Sequence, residues 1–329
     1  MRLRAFNYLA PKTISEACSL LKEYEGHAKV MAGGTDLLVS MKQRVRPPKQ
    51  VISLKGIPDL SHIKQSEKEM KIGAMTRISD LERSSTVREH FPILAEAARS
   101  VASPNLRNLG TLGGNLCLDT RCSYYNKSDT FRKPIGPCLK FGGDVCHVVK
   151  RGKKCFAVFQ ADMVPALIAL RAKVRIEGLV EEKMIPLEDL YRDDGKDYLK
   201  LKVEEIISEI QIPNSGPGTG GSCQKLRTRT SVDFALVAAS VNVKLRNGLC
   251  EDVRIVLGSV GTCPIRVVKA EDMLRGKKMT DDVIEEAAEF AYQDAKPVAN
   301  IVNVPPSYRK EMARIMVIQA TKEALSRVR

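Results

Sequence analysis

LGTLGGN, residues 109–115, opens the stretch that organises this chain. It is a glycine-rich turn, and because glycine has no Cβ, such a turn lets the backbone come close to a phosphate group. The segment CLDTRCSYYNKSDTFRKPIGPCLKFGGDVCHVVKRGKKC, residues 117–155, follows at once. FQADMVPALIAL, residues 159–170, ends the stretch and places Asp162 in front of an apolar run. A glycine turn that is typical of cofactor binding, next to a group of cysteines that is typical of metal binding, indicates a redox protein.

A second glycine-rich turn lies nearer the start of the chain. Residues 29–32 (KVMA) read as a short strand, and Gly33-Gly34-Thr35-Asp36 follows directly. Successive N–H groups in such a turn can converge on an anion, although an ordinary tight turn has the same composition. Neither the dinucleotide-binding G-x-G-x-x-G pattern nor a Walker A sequence is present. Two glycine turns in one chain suit a ligand with two phosphates and a long body.

The cysteine segment has the spacing C-x15-C-x7-C-x8-C, formed by Cys122, Cys138, Cys146 and Cys155. A polar loop as long as residues 120–154 is uncommon in a compact domain, so something must order it. Four thiolates fit a tetrahedral zinc ion or an iron–sulfur cluster equally well at this spacing, and free thiols are the third alternative. Cys117 is expected to be a fifth, uninvolved thiol.

Composition sets the class of protein. The chain has 329 residues, no Trp and a formal net charge of +14. The basic residues are scattered and aromatic residues are sparse, so a solvated basic surface or an acidic partner protein is favoured over nucleic acid. No run of about 18 apolar residues is present, so no membrane span is expected. The first residues lack a secretory signal, which makes the cytoplasm the expected location.

Hydrophobic periodicity and turn residues divide the chain into three parts. Helices are expected over residues 14–24, 91–102 and 280–295 and from Ser307, and strands over 29–32, 51–54, 70–72, 172–176 and 205–213. Residues 214–221 (NSGPGTGG) form a break, after which Asn247-Gly248 predicts a hairpin between residues 237–245 and 250–260. The expected domains are residues 1–55, 56–219 and 220–329, with the cysteine loop inserted at 117–158.

Four ordered motifs carry a resemblance to a known family. KVMAGGTDLL (29–38), RNLGTLGGNL (107–116), ADMVPALIAL (161–170) and QKLRTRTSVDFALVAA (224–239) resemble the flavin-binding medium subunits of the xanthine oxidase family of molybdenum enzymes. The cysteine insertion looks like that of the β subunit of 4-hydroxybenzoyl-CoA reductase. In that subunit the four cysteines hold a [4Fe-4S] cluster, so the resemblance favours a cluster over zinc.

The resemblance implies an α+β fold. It consists of a two-lobed FAD-binding domain of the vanillyl-alcohol oxidase type, followed by a C-terminal α+β domain like that of CO dehydrogenase flavoproteins. It implies no catalytic residue on this chain, but it does imply a set of FAD-binding residues. These are Lys29, Val30, Met31, Ala32, Gly33, Gly34, Thr35 and Asp36 on one side of the pyrophosphate, Thr111, Leu112, Gly113, Gly114 and Asn115 on the other, Val101 and Ile207 as apolar contacts, Asp162 at the ribose or adenine, and Lys225 near the flavin.

The resemblance also implies a function and partners. The chain is expected to be an electron-transfer subunit with FAD and a [4Fe-4S] cluster, assembled with a molybdenum-cofactor large subunit and a [2Fe-2S] small subunit as a dimer of heterotrimers. A ferredoxin-type donor and reductive dehydroxylation of an aromatic acyl-CoA are expected. The alternatives are the flavin subunit of an oxidative molybdenum hydroxylase and, in another class, a zinc-stabilised flavin-binding structural subunit.

Overall fold

Three β-sheets carry the fold, and the computed structural model describes them within residues 3–299 and 304–329. The strands are β1 (Asn7–Leu9), β2 (Ala28–Met31), β3 (Gln50–Ser53), β4 (Ile63–Gln65), β5 (Glu69–Gly73), β6 (Lys173–Glu177), β7 (Glu182–Pro186), β8 (Ile206–Pro213), β9 (Thr219–Leu226), β10 (Val237–Arg246), β11 (Leu249–Gly258) and β12 (Ile265–Arg266). The helices are α1 (Ile14–Glu23), α2 (Leu37–Lys42), α3 (Ile78–Arg83), α4 (Ser85–His90), α5 (Pro92–Ser100), α6 (Pro104–Arg107), α7 (Leu112–Leu116), α8 (Asp129–Arg132), α9 (Met163–Ala169), α10 (Val268–Leu274), α11 (Asp281–Asp294) and α12 (Pro306–Ser326).

The sheets follow one another along the chain. The first is parallel in the order β1-β3-β2, the second is antiparallel in the order β4-β5-β8-β6-β7, and the third is antiparallel in the order β12-β11-β10-β9. This mixture of helices and sheets confirms the expected α+β class. The sheets occupy residues 7–53, 63–213 and 219–266, while the domain boundaries themselves stay a prediction.

The local sequence signals explain several of these elements. The side chain of Thr13 accepts a hydrogen bond from the Glu16 N–H at 3.1 Å and so caps α1. The Glu16 carboxylate accepts from the Lys12 N–H at 2.7 Å, one residue earlier than in a regular capping box. Asn247 and Gly248 have φ of +53° and +78°, which is the geometry of the predicted hairpin turn between β10 and β11.

The long polar loop is less irregular than its sequence indicated. It contains α8 and a short 3₁₀ turn at Leu139–Phe141, so residues 120–154 are not wholly without helix. Ser128 caps α8 by accepting a hydrogen bond from the Phe131 N–H at 3.3 Å. The loop therefore contains short helical segments, which are joined by turns and irregular segments.

One buried helix joins the second and third sheets. All seven residues of α9 are buried, and the helix packs against α5, β10 and β11. At its closest point an added Cβ on Gly258 would lie 2.8 Å from Pro165 Cγ, so glycine is what allows this approach. Since α9 begins directly after Asp162, its packing fixes the position of that side chain. Within the described residues, no helix combines the length and the apolar character needed to cross a membrane.

The buried carboxylate of Glu271 provides a test of the third domain. Glu271 is fully buried, accepts from the Ile255 N–H at 3.0 Å and pairs with Arg266 at 2.7 Å. We expect Glu271→Gln to lower the free energy of unfolding by about 3 kcal/mol, because a neutral amide cannot replace the buried carboxylate that pairs with both Arg266 and Arg275. Denaturation followed by far-UV circular dichroism measures this, since the chain has no Trp.

The matched control for this change is Glu289→Gln in α11. Glu289 pairs with Arg314 at 3.4 Å, but its side chain is 53% exposed, so the same substitution should cost less than about 1 kcal/mol. Equal losses in the two variants would contradict a structural role for the buried pair.

Candidate functional site

The two glycine-rich turns lie against each other. An added Cβ on Gly33 would lie only 2.0 Å from the carbonyl oxygen of Leu109, and one on Gly110 would lie 3.7 Å from Thr35 Oγ1. A further contact joins Gly114 and Ala32, at 3.8 Å between an added Cβ and the existing one. Since only glycine permits the closest of these approaches, Gly33 is required to bring the turns together.

The turns differ in what their backbone offers. In the second turn the N–H groups of Leu112 and Gly113 donate to the carbonyls of Thr76 and Ala74, at 2.9 and 2.8 Å. The Gly114 N–H donates to Thr111 Oγ1 at 3.2 Å. In the first turn, Gly33–Asp36, the N–H groups donate no hydrogen bond to any group that the structure describes. The first turn therefore holds the free donors that an anion needs, and the second turn shapes the wall opposite.

Asp162 and Lys225 form a buried ion pair beside these turns. Lys225 Nζ lies 2.8 Å from Asp162 Oδ2 and 2.9 Å from the carbonyl oxygen of Ser100. Burial raises the pKa of the Asp162 carboxyl, and the Lys225 ammonium offsets part of that rise. Asp162 Oδ1 is buried and has no donor within the described residues, so it is available to a ligand. Asn115 anchors the neighbouring backbone by accepting from the Met163 N–H at 3.1 Å.

Of the two predicted apolar contacts, Val101 stands next to the ion pair and Ile207 lies on the second sheet. Val101 is the C-cap residue of α5, directly after Ser100, and Ile207 lies in β8, where it pairs with Ile176. Both side chains belong to the large buried cluster around α9. An open cleft between α5 and β9 adjoins the pair, and it is lined by Glu96, Arg99, Ser100, Cys223, Gln224, Arg227 and Glu323.

The four predicted ligand cysteines come together. They line one cavity whose walls also include Tyr124, Tyr125 and Lys140; the four are Cys122, Cys138, Cys146 and Cys155. Cys117 does not line it and packs against the large core instead, as expected of an uninvolved thiol. His147 stands at the wall, with its ring 4.6 Å from that of Tyr124.

The chemistry of the cavity depends on burial and on a nearby cation. Burial raises the pKa of the Cys155 thiol to about 11, and the Lys140 ammonium opposes that rise. A metal that binds here must therefore displace protons, as thiolate ligation does in general. Within the described residues, no three His, Cys, Asp or Glu side chains are placed so that they could hold a metal ion.

Arg121 is a residue of the site that sequence reasoning missed. Its guanidinium pairs with Asp36 in the first glycine turn, and its CZ carbon lies 5.0 Å from the centre of the Phe234 ring. Burial lowers the pKa of Arg121 from its usual value. The only signal in the sequence was an arginine next to a candidate ligand, Cys122, and that position alone does not reveal the contact with Asp36.

Comparison with known proteins assigns the two main parts of the chain. Residues 4–215 match the family model of the FAD binding domain in molybdopterin dehydrogenase, and residues 223–324 match that of the CO dehydrogenase flavoprotein C-terminal domain. The first match alone covers more than half of the chain.

Individual relatives agree with this assignment. The chain is 29% identical over 323 residues to a carbon monoxide dehydrogenase medium chain from Hydrogenophaga pseudoflava, covering 98% of each. It is 32% identical over 286 residues to the Escherichia coli aldehyde oxidoreductase FAD-binding subunit PaoB, covering 83% of this chain and 86% of that one. A solved structure of the H. pseudoflava carbon monoxide dehydrogenase, which lacks the Mo-pyranopterin moiety, aligns with a TM-score of 0.83 over 100% of both chains.

The glycine turns contact each other beside the buried Asp162–Lys225 pair. The fold that carries them extends over the full length of a solved relative. The protein belongs to the FAD-binding medium subunits of the xanthine oxidase family, the flavin subunits of molybdenum hydroxylase and dehydrogenase complexes.

Proposed function

We propose that this chain holds FAD between its two glycine turns and serves as the electron-transfer subunit of an oxidative molybdenum hydroxylase or dehydrogenase. The proposed partners are a molybdenum-cofactor large subunit and a [2Fe-2S] small subunit. The observation that carries the proposal is the run of unused N–H groups at Gly33–Asp36, held by backbone contact against the second turn.

The residues present fit FAD. The unused N–H groups of the first turn are donors for the pyrophosphate, and Thr35 adds a hydroxyl on the side facing Gly110. No donor among residues 3–299 and 304–329 reaches the buried Asp162 Oδ1, so this acceptor is open to a ribose hydroxyl or an adenine amine. Lys225 would place a positive charge near the flavin, and Val101 and Ile207 would supply apolar contact.

The relatives favour oxidation over the reductive chemistry that the cysteine loop led us to expect. The similar proteins are named as a carbon monoxide dehydrogenase chain and an aldehyde oxidoreductase subunit. Nothing in these comparisons supports 4-hydroxybenzoyl-CoA as the substrate. We therefore place the molybdenum chemistry on the partner subunit and assign the direction of electron flow from substrate towards an external carrier.

We propose a [4Fe-4S] cluster, bound by the four cavity cysteines, as a second cofactor. In a zinc site four sulfurs surround one ion at about 2.3 Å. In a four-iron cluster each thiolate binds a different iron, so the ligand sulfurs stand further apart. The four cysteines around the cavity supply the four thiolates that such a cluster requires, and their order in the sequence resembles that of the reductase subunit. FAD exchanges electrons singly or in pairs, whereas such a cluster exchanges one electron at a time. A subunit with both cofactors would therefore connect two-electron transfer to one-electron transfer.

The charge of the cysteine loop favours a one-electron carrier of the ferredoxin type as the external partner. Residues 117–158 contain nine Lys or Arg and three Asp, a net charge of +6. Exposed apolar side chains at Phe131, Ile135 and Val145 lie in the same loop. An acidic carrier protein would be attracted to such a surface. This surface also keeps the reductive direction as a second candidate, since a ferredoxin can donate as well as accept.

The first glycine turn provides a test of FAD binding. We expect Gly33→Ala to lower the FAD content of the purified complex severely, because the new Cβ collides with the Leu109 carbonyl and forces the turns apart. Flavin absorbance per chain after gel filtration measures this. The matched control is Gly56→Ala, where the nearest atoms, Lys12 Nζ and the Pro11 carbonyl oxygen, lie 3.4 Å from the added Cβ, an ordinary contact. Full FAD content in Gly33→Ala at unchanged helicity would count against the proposed site.

The cavity provides a separate test of the metal. We expect the complex to contain about four iron and four acid-labile sulfide on this subunit, and Cys138→Ser to lose them. The control is Cys117→Ser, which lies in the same loop outside the cavity and should keep them. Iron, zinc and sulfide analysis of anaerobically purified protein is the measurement. About one zinc without sulfide would replace the cluster by a structural metal and leave the FAD proposal intact.

A further inference from the structure

Arg121 stands where three parts of the molecule meet. It reaches Asp36 in the first lobe, lies over Phe234 in the C-terminal domain and precedes Cys122 in the cysteine cavity. Its side chain is only 14% exposed, and its Nε is buried without an acceptor among the described residues. Burying a guanidinium donor without an acceptor is costly, so a further negative group is expected to approach it.

The first glycine turn explains which negative group this is. Asp36 belongs to the turn whose free N–H groups face the proposed diphosphate, and its carboxylate would repel that ligand. The Arg121 guanidinium offsets this repulsion, and its unused donor can bind a phosphate oxygen directly. Arginine suits the task because its planar fork matches phosphate geometry and keeps its charge when buried.

The backbone of Arg121 closes the neck of the cysteine loop. Arg121 and Val158 exchange two hydrogen bonds, at 2.8 and 2.7 Å, and all four cavity cysteines lie between them in sequence. Cys122 and Cys155 are just inside this neck, one on each side. A cluster that bonded both cysteines would cross-link the neck beside Arg121 and help to hold its guanidinium towards Asp36.

We propose that Arg121 is a positioning residue that binds the FAD diphosphate and couples FAD binding to occupancy of the cysteine cavity. The inference rests on the proposed function, in which both cofactors are held by this chain. The coupling is reciprocal: loss of the cluster loosens Arg121 and weakens FAD binding, and loss of FAD weakens retention of the cluster by the same factor.

The first experiment measures FAD affinity by flavin fluorescence on the purified, deflavinated complex. We expect Arg121→Gln to raise the dissociation constant about 10- to 100-fold, the range for a charge-assisted hydrogen bond in a largely buried site. Arg246→Gln is the matched control, since the exposed Arg246 pairs with Glu251 beside the hairpin turn of β10 and β11, and it should leave the constant unchanged. An unchanged constant in Arg121→Gln would overturn the proposal.

A second variant separates ligand binding from a purely structural ion pair. Asp36→Asn should tighten FAD binding, because it removes a negative charge and frees the guanidinium for the phosphate. If Arg121 served only to hold Asp36 in place, both substitutions would weaken binding equally, and that result would refute the assignment.

The coupling is tested by combining Arg121 with the cavity. Cys138→Ser should weaken FAD binding by at least about fivefold, the low end of couplings between sites, and should have no further effect in an Arg121→Gln background. A Cys138→Ser effect that persists without Arg121 would overturn the coupling. A wild-type complex that binds neither FAD nor iron would instead overturn the proposed function, so the two failures are distinguishable.

Discussion

The approach of Gly33 to the carbonyl of Leu109 is the constraint on which the rest of the site depends. Any side chain at Gly33 would occupy the space of that oxygen, so at this point the first lobe and the second lobe meet through bare backbone. The second turn can hold this position because its own N–H groups are satisfied by Thr76, Ala74 and Thr111. Its rigidity leaves the first turn free to direct unused donors outward. The different roles of the two turns, the second as a wall and the first as the source of N–H donors, follow from this one contact.

The buried helix α9 fixes the position of the site relative to the third sheet. Its seven residues are buried, and the helix packs against β10 and β11 and belongs to the same apolar cluster as the second sheet. Asp162 comes directly before the helix. The carboxylate is therefore held rigidly, and Lys225 of the third sheet reaches it across the domain junction at 2.8 Å. A buried pair of this kind contributes little net stability. Its effect is to align the C-terminal domain with the turns, while one carboxylate oxygen remains unpaired.

Local signals in the sequence were enough for much of the fold and for part of the site. The Thr13 cap, the Asn247-Gly248 hairpin and the apolar faces of α5 and α11 each depend on neighbours within a few residues. The resemblance of four motifs to a known family then predicted the cofactor residues. The contact of Arg121 with Asp36 depends on the folding of a long insertion and leaves no periodicity or spacing in the chain. The unequal use of N–H groups in the two turns is hidden for the same reason.

The cysteine loop is an insertion in a fold that the chain shares with dehydrogenase medium subunits. The loop is attached through the Arg121–Val158 neck and carries its own short helix, so it adds to the FAD-binding lobe without altering its sheet. A metal bound there would change which carriers can exchange electrons with the subunit. It would not set the direction of flow, because direction depends on the potentials of the substrate and the carrier, and neither is bound by the sheets described above. Fold and function are separable in this sense. The family resemblance therefore identifies the flavin subunit, while the partners decide what reaction it serves.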